Sequence, residues 1–328
     1  MDRLSDIPLM KALVKQTKAR EVTPAKQKLL DAAGAIRQNP EEAEAAFLAR
    51  QLVQCTLPHS NPGKVEAWKR TNGNLTLVIR AGWDSEKDQS IGYPYGSLPR
   101  LLLFWVTTEA IRTKSRRLAL GHSLSEFMRV VGLDPYTGGG KRSDAKRLQE
   151  QMRRLFRATI SFEMQLWGPD RQGVSWLDMQ VAPKGELWWD PKSPDQSLLW
   201  GSWIELGEDF FKAITAAPVP LDLRALRALK RSPLALDLYA LAAYKAFIAN
   251  KSGAQFIPWE GLARQLGANY DVDRLDRVKD KVKAAMRKVS TVFPGGLKYA
   301  WSREGLSLLP GTKLAVDAKP KAIETTAS

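Results

Sequence analysis

Residues 124–132, Leu-Ser-Glu-Phe-Met-Arg-Val-Val-Gly, form a short apolar helical pattern that stops at a glycine. A turn follows, then a helix over Asp144–Arg157 with one apolar and one cationic face. The pattern returns at residues 259–267, Trp-Glu-Gly-Leu-Ala-Arg-Gln-Leu-Gly, again followed by a turn and a basic helix, Asp273–Val289. Superposing the copies pairs Phe127 with Leu262, Val131 with Leu266 and Gly132 with Gly267. A short helix, a turn and a longer amphipathic helix is how a helix-turn-helix reads in sequence.

Each copy has the same neighbours. Before the first, Ser97–Arg112 places Leu98, Leu101, Leu102, Trp105 and Val106 at helical spacing, and Ser115–Leu120 reads as a short strand. Ser123 or Ser125 caps the next helix, with Glu126 completing a capping box from Ser123. After the first basic helix, Ala158–Leu166 and Val174–Val181 read as paired strands around Gly168–Gly173, a wing. Trp203–Leu206 reads as one more strand, and Gly185–Gly201 has no clear assignment. Before the second copy, Asp209–Ala217, Leu221–Leu229 and Leu234–Ala249 read as helices, with Pro233 in a first turn, where proline is tolerated. Gly296–Trp301 and Leu306–Leu309 form a hairpin after it. The expected class is therefore α+β: two tandem winged-helix domains, each a helix-turn-helix plus a β-wing, with a helical N-terminal extension. The divisions are 1–62, holding helices Pro24–Leu30 and Glu41–Cys55 and the linker Leu57–Gly63; 63–206; 207–312; and a disordered tail, 313–328. Leu75–Ala81 reads as a strand and Gly92–Gly96 as a turn.

The chain of 328 residues carries 50 Lys and Arg against 35 Asp and Glu, a net charge of +15, which favours a polyanionic partner. The most apolar run, Leu101–Val106, is far short of the roughly 18 residues of a membrane span, so no membrane partner is expected. The first 20 residues lack the apolar core of a signal peptide, and one cysteine, Cys55, allows no internal disulfide. Both suit the cytoplasm.

Within Lys141–Arg157 seven residues are basic and two acidic, and Leu148, Met152, Leu155 and Phe156 make the apolar face. Lys141, Arg142, Lys146, Arg147, Arg153, Arg154 and Arg157 are the candidate DNA contacts there. In the second helix Leu275, Val278, Val282, Met286 and Val289 form the stripe, and Arg274, Arg277, Lys281, Lys283, Arg287 and Lys288 are the candidates. Lys114, Arg116 and Arg117 join them from the segment before the first copy. A helix fits the major groove, where Arg and Lys donate to guanine, while neighbouring cations meet phosphates and release counterions. The plainer alternative, a solvated charged face, accounts for either helix alone, but recurrence in the same slot favours DNA. For Arg224, Arg227, Lys230 and Arg231 the solvated face is at least as good an account. Core packing is expected for most of the eleven tryptophans rather than base stacking. The second helix, longer and more evenly striped, is expected to make the tighter contact, and the first to divide its surface between DNA and a partner subunit.

Catalysis finds little footing. Gly138-Gly139-Gly140-Lys141 lacks the earlier glycine of a phosphate loop, with Pro135 in its place, and Arg142 replaces the magnesium-binding Ser or Thr. Only His59 and His122 accompany Cys55, too few for the usual zinc sites or a nicking motif, and Asp190 has no carboxylate neighbour. No enzyme activity and no cofactor are expected.

Longer strings carry a resemblance. Leu57–Pro62, Arg70–Thr76, Tyr95–Leu103 (Tyr-Gly-Ser-Leu-Pro-Arg-Leu-Leu-Leu), Thr107–Ser115, Leu124–Met128 and Gln151–Phe156 resemble the RepA family of plasmid replication initiators. The likeness runs from about residue 55 to 310 and is densest over 93–157. It implies binding to direct repeats of double-stranded origin DNA, opening of the duplex and recruitment of host helicase and polymerase machinery. It also implies binding to the chain's own promoter as a homodimer, with monomers favoured at the origin. The alternatives are a transcriptional repressor with the same DNA contacts and, ranked last, a primase or nicking enzyme.

Overall fold

The computed structural model describes residues 22–121, 123–136, 143–168, 171–188, 201–267 and 275–314. Thr23 caps α1 (Pro24–Gln38) by accepting from the Lys26 N–H, and Pro24 sits in the first turn. The helix expected over Glu41–Cys55 is absent. In its place stand a 3-10 turn (Pro40–Glu42), strand β1 (Ala45–Ala49) and short helix α2 (Arg50–Gln54). The Glu- and Ala-rich sequence prefers helix locally, but β1 pairs antiparallel with residues 218–222, Ala45 opposite Asp222 and Ala49 opposite Pro218. Tertiary pairing and burial override that weak preference. The Phe47 N–H donates to Thr108 Oγ1 at 2.9 Å.

Strands β2 (Trp68–Asn72) and β3 (Leu75–Arg80) form a hairpin, and β4 (Trp83–Asp84) and β5 (Gln89–Ser90) a smaller one. Helix α3 (Ser97–Thr113) buries Leu98, Leu101, Leu102 and Val106, as its spacing requires. Next come β6 (Arg117–Ala119), α4 (Leu124–Val130), α5 (Asp144–Phe156), β7 (Thr159–Trp167) and β8 (Gln172–Gln180). The capping expected at Ser123 is present, its hydroxyl accepting from the Glu126 N–H at 3.1 Å. Strands β7 and β8 are not a free-standing pair: β7 also pairs with β3, in the order β2-β3-β7-β8. Leu77, Ile79 and Ile160 are fully buried beneath this sheet. Part of the unassigned stretch is strand: β9 (Lys184–Glu186) pairs with β10 (Trp203–Glu205), which pairs with β6.

The second half runs α6 (Glu208–Ala216), β11 (Pro218–Asp222), α7 (Leu223–Leu229) and α8 (Pro233–Ser252). It continues with β12 (Gln255–Pro258), α9 (Trp259–Gln265), α10 (Leu275–Val292), β13 (Tyr299–Trp301) and β14 (Gly305–Leu308). The helix expected from Leu221 starts at Leu223, because Leu221 and Asp222 belong to β11 and the Asp222 carboxylate caps α7 from outside it. Here the short strand pairs with its own hairpin, β12-β14-β13, whereas β6 of the first copy pairs with β10. The two copies share an element order but not a strand connectivity.

One hydrophobic core runs through both halves, from Ala33 and Ile36 of α1 to Leu306 and Leu308 of β14. Tyr239 of α8 meets Phe293 edge-on at 5.5 Å, and Arg37 of α1 donates to the Thr291 carbonyl at 2.9 Å. The segment Leu57–Gly63, expected to be a linker, begins inside this core: Thr56 and Leu57 are buried. The turn Gly138–Gly140, Lys141, Arg142, His122, Asp190, Arg274 and the tail from Asp317 lie outside the described residues.

Candidate nucleic-acid interface

Helix α5 buries the expected apolar face, Leu148, Met152, Leu155 and Phe156. Its cations are largely engaged by their own chain. Arg153 donates to Asp84, and Arg147 meets Asp144 at 3.3 Å. Burial alone would raise the Asp84 carboxyl, but Arg153 and the backbone N–H groups of Lys87 and Glu86 together hold it below the usual carboxylate range. Arg154 is drawn inward: it donates to Glu150 and to the Tyr93 carbonyl and lies over the Tyr95 ring, with a side chain only 12% exposed. Arg157 is exposed but donates to the Trp83 carbonyl at 3.0 Å. Lys146 is exposed and borders a polar cleft of about 300 Å³ between α5 and the Asp84–Ile91 segment.

Helix α10 is arranged differently. Val278, Val282, Met286 and Val289 are at most 1% exposed. Arg277, Lys281, Arg287 and Lys288 are exposed, and Lys283 is half-buried 5.9 Å from the Trp259 ring. Exposed cations from Arg277 to Lys288 thus stand opposite a buried apolar stripe, and the last turn of the helix carries none. Of the remaining candidates, Lys114 is exposed at the left-handed end of α3, and Arg117 lies over the Trp203 ring at 3.9 Å. Arg116 donates to the Leu206 carbonyl and to Glu205. The Leu223–Arg231 cations face inward in part: Arg224 is bidentate to the buried Asp222, and Lys230 donates to the Gly132 carbonyl. Among the described tryptophans, Trp68 and Trp259 are buried and Trp105 and Trp301 pack against the core, whereas Trp83, Trp167, Trp176 and Trp188 are exposed, so core placement holds for only part of the set. Trp167 borders the turn of the β7–β8 hairpin, opposite Gln172, and Trp176 lies mid-strand opposite Glu163.

The glycines that pair in sequence, Gly132 and Gly267, do different work. Gly132 has φ +77° and ends α4: its N–H donates to the Arg129 carbonyl, and the Leu133 N–H to the Met128 carbonyl. That is a Schellman end, for which glycine avoids the left-handed penalty. Gly267 has no positive φ; a Cβ there would stand 1.5 Å from the Leu57 carbonyl oxygen. It is needed because another backbone passes against it.

A buried charge cluster lies outside the residues that the sequence pattern singles out. Arg100 of α3 and Asp237 of α8 form a bidentate pair at 2.6 and 2.7 Å, with side chains 4% and 7% exposed. The other Arg100 donors go to the carbonyls of Leu57, Pro58 and Gly96, so all five N–H groups are used. His59 Nε2 lies 2.7 Å from Asp237 Oδ2. Burial would raise the Asp237 carboxyl, but the Arg100 charge and the hydrogen bonds of His59 and Arg100 bring it below the usual range. Burial, aided by Arg100, pushes the His59 imidazole down against the pull of Asp237. His59 is therefore neutral and donates through Nε2 to an ionised carboxylate, which can only accept. One signal was available: Arg100 sits in an apolar helical run, and Asp237 is the sole acidic residue of α8. Charges placed so rarely stay buried unpaired.

Among the described residues no group of three or more His, Cys, Asp or Glu could hold a metal ion, and no helix is long and apolar enough to cross a membrane. A family model described as plasmid encoded RepA protein matches residues 93–261, just over half of the chain, from the segment before α3 into α9. The chain belongs to the RepA family. The match covers α4, α5, Arg100 and Asp237, and α10 lies beyond it. No curated protein matches the chain. Two solved structures are loosely similar: domains 2–3 of RctB (residues 155–483), at 11% identity and TM-score 0.44, and selenomethionine derivatives of the same two RctB domains, at 9% and 0.44. Each alignment covers 78% of this chain and 94% of the other, a likeness too loose to transfer any residue's role.

Proposed function

We propose that this RepA-family chain is a plasmid replication initiator. It binds repeated double-stranded sites at its origin through two winged-helix modules, residues 63–206 and 207–312, helps open the duplex and recruits host helicase and other replication proteins. Membership of residues 93–261 in the family carries this reading. The element order supports the modules, since a strand pair follows each basic helix and β12-β14-β13 closes the second. Arg277, Lys281, Arg287 and Lys288 of α10 supply the main groove and phosphate contacts; Lys146 and Arg147 of α5 supply a second, smaller set, with Lys114 and Arg117 beside it. Because the α5 arginines are partly spent on Asp84, Glu150 and backbone carbonyls, the second module grips more strongly. The protein works in the cytoplasm, without a cofactor and not as an enzyme.

The test is binding of the full chain to a duplex carrying the direct repeats of its origin, over a series of salt concentrations. Affinity should fall steeply with salt, and scrambled DNA should bind weakly even at low salt. Equal affinity for scrambled DNA removes the reading. Loss of an origin-bearing plasmid on deletion of the gene separates an initiator from a repressor that shares the same contacts.

A further inference from the structure

The segment Gln54–His59 is a strap between the two halves. On one side, Arg100 of α3 holds the Leu57 and Pro58 carbonyls, and the Gly96 N–H donates to the Pro58 carbonyl at 3.0 Å. On the other, the strap is stitched to the end of α9, the first helix of the second copy. The Thr56 N–H donates to the Gln265 carbonyl at 3.1 Å, the Gly267 N–H to Thr56 Oγ1 at 2.7 Å, and the His59 N–H to the Gly267 carbonyl at 2.6 Å. From the first half, Arg70 of β2 donates to the Leu266 carbonyl at 2.9 Å, and Asn72 bridges the Gln54 carbonyl and the Gln265 side chain. Asp237 of α8 closes the ring through Arg100 and His59.

Three consecutive residues at the end of α9, Gln265, Leu266 and Gly267, are therefore bonded to the strap or to β2 of the first half. These bonds are directional, and Gly267 leaves no clearance for the strap to slide. We propose that this strap is a positioning device: it fixes the separation and relative rotation of the two basic helices, so that the protein selects DNA by the spacing between its two half-sites. This rests on the double-stranded DNA reading above and adds a source of specificity that no base contact supplies. Two modules read successive grooves together only when their offset matches the helical repeat, and one inserted base pair both translates and rotates one half-site relative to the other. A flexible connection would tolerate that change at a modest entropic cost, whereas a stitched one loses one module's contacts.

The test uses the full chain and a duplex with one origin repeat, together with versions carrying one or two base pairs inserted at its centre, and duplexes cut to each half. Wild type should lose at least tenfold in affinity on insertion. Gly267→Ala, which forces the strap aside, should reduce that penalty to under threefold while changing affinity for the half-length duplexes by less than twofold. Thr56→Val, which removes only the hydroxyl that accepts from Gly267, is the milder arm and should show the same trend. Spin labels at Gln149 of α5 and Asp280 of α10 give a second readout: one narrow distance distribution in wild type, broadened in both variants. Cys55 can remain, because burial raises its thiol to about 12. Folded variants that keep the wild-type spacing profile and a narrow distribution overturn the inference. A wild type that prefers the repeat but ignores insertions overturns it too and leaves the DNA reading intact. A wild type that binds scrambled DNA equally removes both.

Discussion

Asp237→Asn is the most informative single perturbation of this fold. The side chain keeps its volume but loses its charge. Arg100, 3% exposed and with every donor committed, then faces a neutral amide in a site that water does not enter freely. His59, neutral or cationic whatever its protonation, cannot supply the missing negative charge. Breaking a buried ion pair by removing one partner costs about 3–5 kcal/mol, because the remaining charge is left uncompensated. Total stability is only about 5–15 kcal/mol, so the change removes a large share of it. With an unfolding entropy of about 2.1 cal/mol/K per residue, the chain's 328 residues give a fall in Tm of about 4–7 °C. Circular dichroism melts of wild type and variant measure it. The control is Glu109→Gln, which opens the partly exposed Glu109–Arg112 pair of α3 and should cost under about 1 kcal/mol. The double variant Arg100→Met/Asp237→Asn should recover part of the loss, since no buried charge is then left unpaired. If Asp237→Asn melted within a degree of the Glu109→Gln control, the cluster would not hold the halves together, and the reasoning would be refuted.

The His59 pKa is depressed in the folded state relative to its ordinary value of 6.5, so the unfolded chain binds more protons below that pH. His59 contributes stability that is present above about pH 6.5 and lost as pH falls below it; urea melts of wild type should show this slope, and an unchanged slope in His59→Gln would count against it. Truncating Arg277, Arg287 or Lys288 singly should lower the salt slope of DNA binding by about 1 where the side chain meets a phosphate, whereas Arg154→Ala should lower Tm and leave the slope alone; the reverse pattern would place the interface elsewhere. Gly34 lies within α1, and the space a Cβ would take there is open to at least 4 Å, so Gly34→Ala should stabilise by about 0.5–1 kcal/mol in the same thermal melts. Gly132→Ala should cost about 1–2 kcal/mol through its φ of +77° and its contact with Arg227.

The sequence by itself determined the repeated helices. Leu148, Met152, Leu155 and Phe156, and Val278, Val282, Met286 and Val289, recur at helical spacing because each helix buries one stripe, and that period is written locally. The cap at Ser123, the first-turn position of Pro233 and the strand pairs after each basic helix were legible for the same reason. Whatever depends on a distant partner was not. Residues 45–49 read as helix because their local preference is helical, and only Pro218–Asp222, far along the chain, makes them a strand. Gly132 and Gly267 look equivalent in a string of letters, yet one answers to its own φ and the other to the Leu57 carbonyl. Arg154 and Arg277 look alike as cations on basic helices; the tertiary structure turns one onto Glu150 and Tyr95 and leaves the other facing solvent. Arg100 and Asp237 carry opposite charges 137 positions apart, and nothing in their neighbours states that they meet. Local spacing fixes which face of an element is apolar, while the choice of partner for a charge or a strand edge is settled only when the elements pack, since burial makes an unpaired group costly.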